Sequence, residues 1–164
     1  MKFKNSVFKK LFLFSLVFTM MLGVAGCSNS TNTTVSKTTL DKEMESYYVT
    51  SDWLKANLDK VVIIDARATK EYAAGHVPGA INYPFDENLD VDGTFLPPEA
   101  LRENYQALLK GKPAWQVIHM CGSGVTACHN ILAMEIAGLP GSRLYPGSWS
   151  EWITDPTRPV ATGE

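Results

Sequence analysis

The sequence predicts an α/β domain: a central parallel β-sheet with helices on both faces. Three observations carry that expectation. Two short, mostly apolar runs, residues 61–65 (VVIID) and 116–120 (QVIHM), have the length and composition of buried strands. Each gives way to turn residues and then to a segment with helical spacing. Strands that alternate with helices pair in parallel through right-handed crossovers, which cover both faces of the sheet.

Taken in order, residues 47–49 form a short first strand, and Thr50 or Ser51 caps a helix carrying Leu54 and Leu58 on one face. Residues 61–65 are the clearest strand. Residues 68–74 read as a short helix stopped by Gly75, and residues 81–83 as a short strand before a loop rich in Asp and Gly. Pro98 starts a helix in which Leu101, Tyr105, Leu108 and Leu109 repeat at helical spacing. Gly111 and Pro113 then lead into the strand at 116–120. Val125, Cys128, Ile131, Leu132 and Ile136 give the next helix an apolar stripe, ended by Gly138 and Pro140. Residues 143–145 are the last strand. Ser148 and Glu151 match a capping box on a final helix bearing Trp149 and Trp152, both expected in the core.

The amino-terminal part reads differently. Lys2, Lys4, Lys9 and Lys10 precede an apolar run, residues 11–26, that is short for a membrane span but suited to a signal peptide. The sequence LGVAGC at 22–27 resembles the bacterial lipoprotein lipobox. The resemblance implies cleavage after Gly26, a diacylglycerol thioether on Cys27, and a mature protein held on the extracytoplasmic face of a cell membrane, since two or more acyl chains anchor stably. Residues 1–26 are then a signal peptide, 27–46 the lipidated cysteine and a Ser/Thr-rich flexible tether, and 47–164 one folded domain. Removing the four leader lysines from fifteen cations leaves eleven against seventeen carboxylates, a formal net charge of −6. Without a basic patch, nucleic acid is not an expected partner.

With Cys27 lipidated, Cys121 and Cys128 remain as free thiols, and no CxxC or Cys/His cluster suggests a metal or other cofactor. Cys121 opens a glycine-rich loop, CGSGVT, between the strand at 116–120 and the following helix. Gly122 and Gly124 allow the backbone to curl until amides point at the sulfur, and the helix adds the positive end of its dipole; both favour thiolate. Cys121 is therefore the candidate nucleophile. Arg67, just past the carboxyl end of the strand at 61–65, is either an anion contact at the same sheet edge or the partner of an Asp or Glu. His119 is read as a core histidine bonded to backbone rather than a base, His76 as a turn residue, and Cys128 as core packing.

Three ordered segments resemble the rhodanese family of sulfurtransferases. DARATKEYAAGHVPGAINYP (65–84) is similar to the family's first signature, LYPGSWSEW (144–152) to its C-terminal one, and CGSGVT supplies the active-site loop. The resemblance implies a rhodanese-like fold in which Cys121 takes a sulfane sulfur from a small donor. The resulting persulfide is cradled by Gly122, Ser123, Gly124, Val125 and Thr126 and passed to a thiophilic acceptor. The loop resembles that of 3-mercaptopyruvate sulfurtransferases. Those two-domain enzymes, however, hold the substrate carboxylate with an arginine where Lys70, Glu71 and Tyr72 stand here, and Glu71 would repel it. Thiosulfate, mercaptopyruvate and a low-molecular-weight persulfide all remain open as donors. Two other classes are weighed: a non-catalytic binding domain displayed at the membrane, which would have no need of the cysteine, and an arsenate reductase or phosphatase. The latter needs a loop one residue longer, ending in arginine, and Ala127 stands at the sixth position after Cys121.

Overall fold

A computed structural model describes residues 37–163. The leader expected at 1–26, the expected lipidation site Cys27 and the start of the expected tether lie outside the described residues. Chain order is α1 (Lys37–Met44), α2 (Ser51–Lys55), β1 (Val62–Asp65), α3 (Thr69–Ala74), β2 (Ile81–Asn82), α4 (Pro98–Leu109), β3 (Val117–Met120), α5 (Val125–Ile136), β4 (Arg143–Leu144) and α6 (Ser148–Trp152). Short 3-10 turns, Phe85–Asn88 and Ala114–Gln116, precede α4 and β3, so Gln116 belongs to a turn rather than to the strand. Helix α1 falls in the stretch read as a tether. Its composition includes good helix formers, and Lys37 pairs with Asp41 one turn on, although its described side chains are exposed.

The sheet is parallel throughout, in the order β2-β1-β3-β4. Residues 47–49 add a further parallel bridge outside β4, with the Val49 amide donating to the Leu144 carbonyl. Side chains alternate across the strands as a doubly covered sheet requires. Ile63, Ile118 and Met120 pack toward Leu54, Tyr72 and Trp152, whereas Val62, Ile64 and Val117 pack toward Leu101, Tyr105 and Met134. Thr50 caps α2 by accepting from the Trp53 amide, as expected.

Two expectations fail locally. On α5 the residues that face the sheet are Ala127, Asn130, Ala133 and Met134, while Val125 and Leu132, from the stripe read as buried, are 74% and 50% exposed. Cys128 is exposed with them. Small side chains let this helix approach the sheet closely, so the larger apolar residues fall on its outer side. The capping box is not made either. Gly147 is the N-cap, Ser148 takes a left-handed φ of 51°, and the Glu151 carboxylate accepts instead from the Ser51 hydroxyl at 2.9 Å.

Register fixes the site. Asp65 at the end of β1 lies opposite Met120 at the end of β3, and the Ala66 amide donates to the Met120 carbonyl at 2.9 Å. The segments that leave the two central strands therefore start side by side at one sheet edge.

Candidate active site

Cys121 is the first residue beyond β3 and is 2% exposed, its side chain packed with Ala66 and Ala127. The loop turns at Gly124, where φ is 86° and a Cβ would stand 2.5 Å from the Pro146 carbonyl oxygen, so only glycine fits. That turn aims the Gly124 amide at the Cys121 sulfur, 3.1 Å away. Burial of the sulfur works against ionisation. The Thr126 hydroxyl and the amides of Ala127, Ser123 and Gly124 outweigh it, and together they hold the thiol below its ordinary pKa. Gly122 plays a different part from the one expected: it has no left-handed φ, and its Cβ position is open space.

The loop is braced from behind by the start of α6. Ser148 Oγ accepts from the Cys121 amide at 3.1 Å and donates to the Tyr145 carbonyl at 2.9 Å. The Trp149 amide donates to the Cys121 carbonyl, and the amide and hydroxyl of Ser150 both donate to the Gly122 carbonyl. Sequence reasoning missed this brace, and with it the Ala127 amide. Its signal was the LYPGSWSEW segment itself, whose Ser148 reads as a helix cap until the left-handed turn is seen.

A cleft of about 290 Å3 opens over the sulfur, lined by the Cys121 loop, by Ala66 to Ala68, and by Glu71 and Phe85. Clefts of about 350 and 490 Å3 lie elsewhere around Trp53 and Arg143, but neither is lined by a cysteine. Phe85 is carried on a 3-10 turn tied to the helices by a buried network: Asn88 donates to Asn130 at 2.8 Å, and Tyr105 donates to Asn88 at 2.9 Å. Gly122, Ser123, Val125 and Thr126 all line the cleft, and Gly124 shapes it from beneath.

For Arg67 the geometry realises pairing rather than a free anion contact. Arg67 borders the cleft, but its guanidinium, on a residue 6% exposed, grips the Asp65 carboxylate through Nε at 3.0 Å and Nη2 at 2.7 Å. Nη2 also donates to the Gly75 carbonyl, and the group lies over the Trp149 ring at 4.6 Å. Its charge is thereby neutralised and most of its donors are spent.

The remaining candidates separate cleanly. His119 is fully buried, and burial drives its pKa down to about 3. Its Nε2 meets Met134 Sδ at 3.2 Å, so the backbone bond expected of it is absent and it is neutral at physiological pH. His76 is structural, with Nδ1 donating to the Tyr72 carbonyl and its ring stacked on Tyr72 at 3.8 Å. Cys128 donates to the Gly124 carbonyl from the exposed side of α5, which corrects its reading as core packing. Trp152 is wholly buried, whereas Trp149 is only partly so. Among the described residues no group of His, Cys, Asp and Glu could hold a metal ion, and no helix is long and apolar enough to cross a membrane. At the far end of the loop, Ala127 offers an amide and no cation, which does not suit the oxyanion clamp of a phosphatase.

A profile of the rhodanese-like domain matches residues 50–155. A Pseudomonas aeruginosa protein named "Probable 3-mercaptopyruvate sulfurtransferase" is 52% identical over 113 residues, covering 63% of this chain and 40% of that protein. The thiosulfate sulfurtransferase of Cricetulus griseus is 35% identical over 133 residues, covering 73% and 43%. Among solved structures, the 3-mercaptopyruvate sulfurtransferase of Leishmania major superposes with a TM-score of 0.57 at 30% identity, covering 66% of this chain and 33% of that one. The chain thus spans about two fifths of the length of the curated relatives it matches.

Proposed function

Since this chain belongs to the rhodanese-like domain family, we propose that it is a sulfurtransferase working through a persulfide on Cys121. The observation that carries this reading is the convergence of the Thr126 hydroxyl and three backbone amides on one buried sulfur at the floor of a cleft. Such donors stabilise a thiolate before reaction and a persulfide after it, without reorganising. In the loading step the Cys121 thiolate attacks the sulfane sulfur of the donor. A new S–S bond forms on Cys121, and the donor leaves with the electron pair of the broken bond, as sulfite in the case of thiosulfate.

Names among the relatives point to both mercaptopyruvate and thiosulfate as donors. Glu71 on the cleft wall and the neutralised Arg67 favour neither anion, so mercaptopyruvate should be a poor donor here. The test is mass spectrometry of the Cys121 peptide after incubation with thiosulfate, mercaptopyruvate or a glutathione persulfide. A gain of one sulfur, about 32 Da, on Cys121 is expected with at least one donor. No gain with any of them would favour the non-catalytic binding domain.

The lipobox-like sequence supports a second part of the proposal: the mature domain is anchored through a lipidated Cys27 on the extracytoplasmic face of a cell membrane. Inhibiting the lipoprotein signal peptidase should then leave an unprocessed precursor of lower mobility. Unchanged mobility would sink the anchor.

A further inference from the structure

The cleft that holds Cys121 is lined by two charged residues, Arg67 and Glu71. Arg67 cancels against Asp65, with its Nη2 2.7 Å from the carboxylate. Glu71 is exposed and has no ion pair among the described residues. Lys70, its neighbour, is a step of roughly 100° round α3 and does not line the cleft. Beyond Phe85, which closes the other side, follow the exposed carboxylates Asp86 and Glu87. The floor of the cleft attracts a negative sulfur, through the amides and hydroxyl around Cys121, while its Glu71 wall attracts a positive group.

We propose that Glu71 makes this site selective for aminothiols: molecules whose sulfur and ammonium nitrogen are separated by two or three carbons, as acceptors or, in persulfide form, as donors. The inference rests on the sulfurtransferase reading of the same cleft. A thiolate directed at the outer sulfur on Cys121 brings its ammonium to the Glu71 side, so the ligand enters as a zwitterion with both ends matched. A carboxylate in that place meets Glu71 unscreened by Arg67. The discharge step balances without any other reagent. The acceptor thiolate attacks the outer sulfur of the Cys121 hydropersulfide, a new S–S bond forms, and the old one breaks with its electron pair returning to Cys121. The proton on the outer sulfur leaves with the product.

The test uses the full chain, loaded with inorganic polysulfide, freed of excess reagent and followed by site-resolved mass spectrometry at Cys121. Discharge is measured with cysteamine, 2-mercaptoethanol and 3-mercaptopropionate, each rate expressed per thiolate and normalised to the neutral thiol. Opposite unit charges near one carboxylate at a partly screened surface should separate cysteamine from 3-mercaptopropionate by about tenfold. In Glu71→Gln the ratio should collapse toward unity, and in Glu71→Lys it should invert. Asp59→Asn, a carboxylate change before the opposite end of β1, should keep the wild-type ratio. Equal rates in the wild type, or a ratio unmoved by Glu71→Gln, would overturn the selectivity while leaving the sulfurtransferase intact. Failure to load Cys121 with any donor would overturn both.

Discussion

Two segments leave the central strands side by side, and they treat their polar groups in opposite ways. After β1, Asp65 and Arg67 fold onto each other: the carboxylate takes the guanidinium and the Arg67 amide, and the guanidinium reaches on to the Gly75 carbonyl. After β3, the loop from Cys121 to Ala127 carries no charge of its own and turns several donors toward a single sulfur. The first segment closes its polar account internally and is a structural clasp. The second leaves donors aimed at a place where negative charge can appear, and that makes a reactive site. A buried arginine beside a nucleophile is thus not by itself an anion-binding group; what matters is whether its charge is still free.

If this contrast is right, damage to the two segments should show in different measurements. The largest effect belongs to Cys121→Ser, which is nearly isosteric. Sulfur transfer from thiosulfate to cyanide should fall by at least about a thousandfold, with thermal unfolding unchanged. A folded variant that keeps its activity would remove Cys121 from the mechanism. On the other side, Asp65→Asn leaves a buried guanidinium uncompensated and should cost about 3–5 kcal/mol in urea unfolding. A loss below about 1 kcal/mol would mean that Trp149 and the Gly75 carbonyl hold Arg67 unaided.

Gly124→Ala joins the two kinds of damage. The left-handed φ and the overlap with Pro146 should cost about 1–3 kcal/mol, and the displaced amide should slow alkylation of Cys121 as well. The smallest effect is that of Thr126→Val. Cys121 has a lowered pKa, so its alkylation rate is sustained above that pKa and lost as pH falls through it; the stability it lends is complete above the unfolded thiol's pKa and fades over the same fall. Without the Thr126 hydroxyl, the alkylation profile should move to higher pH by comparison with the wild type. An unmoved profile would assign the activation to the backbone alone.

Much of this was legible in the residues. The strands at 62–65 and 117–120, the Pro98 helix and the Cys121 loop follow from apolar runs and turn residues, because burial and backbone freedom are local requirements. What sequence hid was direction. Helix α5 is apolar nearly all round, so hydropathy could not say that Ala127, Ala133 and Met134, rather than Val125 and Leu132, face the sheet. Ser148 and Glu151 have capping-box spacing, but the left-handed turn at Ser148 commits its hydroxyl to Cys121, and Ser51 claims Glu151 from far along the chain. Arg67 likewise could not be assigned from spacing, because both of its alternatives place it at the same sheet edge.

The order in which the sheet is knitted also sets when the domain can fold. β1 finds a neighbour at β3, pairing residue 62 with 117, while residue 48 bridges to 144 and His76 bridges to Ala161. Such pairings join distant parts of the chain, so loop-closure entropy is spent before the contacts return it, and high contact order makes for slow folding. During synthesis β1 can meet β2 early, but its pairing with β3 waits for residue 117 and the bridge from residue 48 waits for residue 144. Under the proposed anchoring at Cys27, a nascent chain bound for a membrane translocon would stay threadable until those late pairings close the sheet.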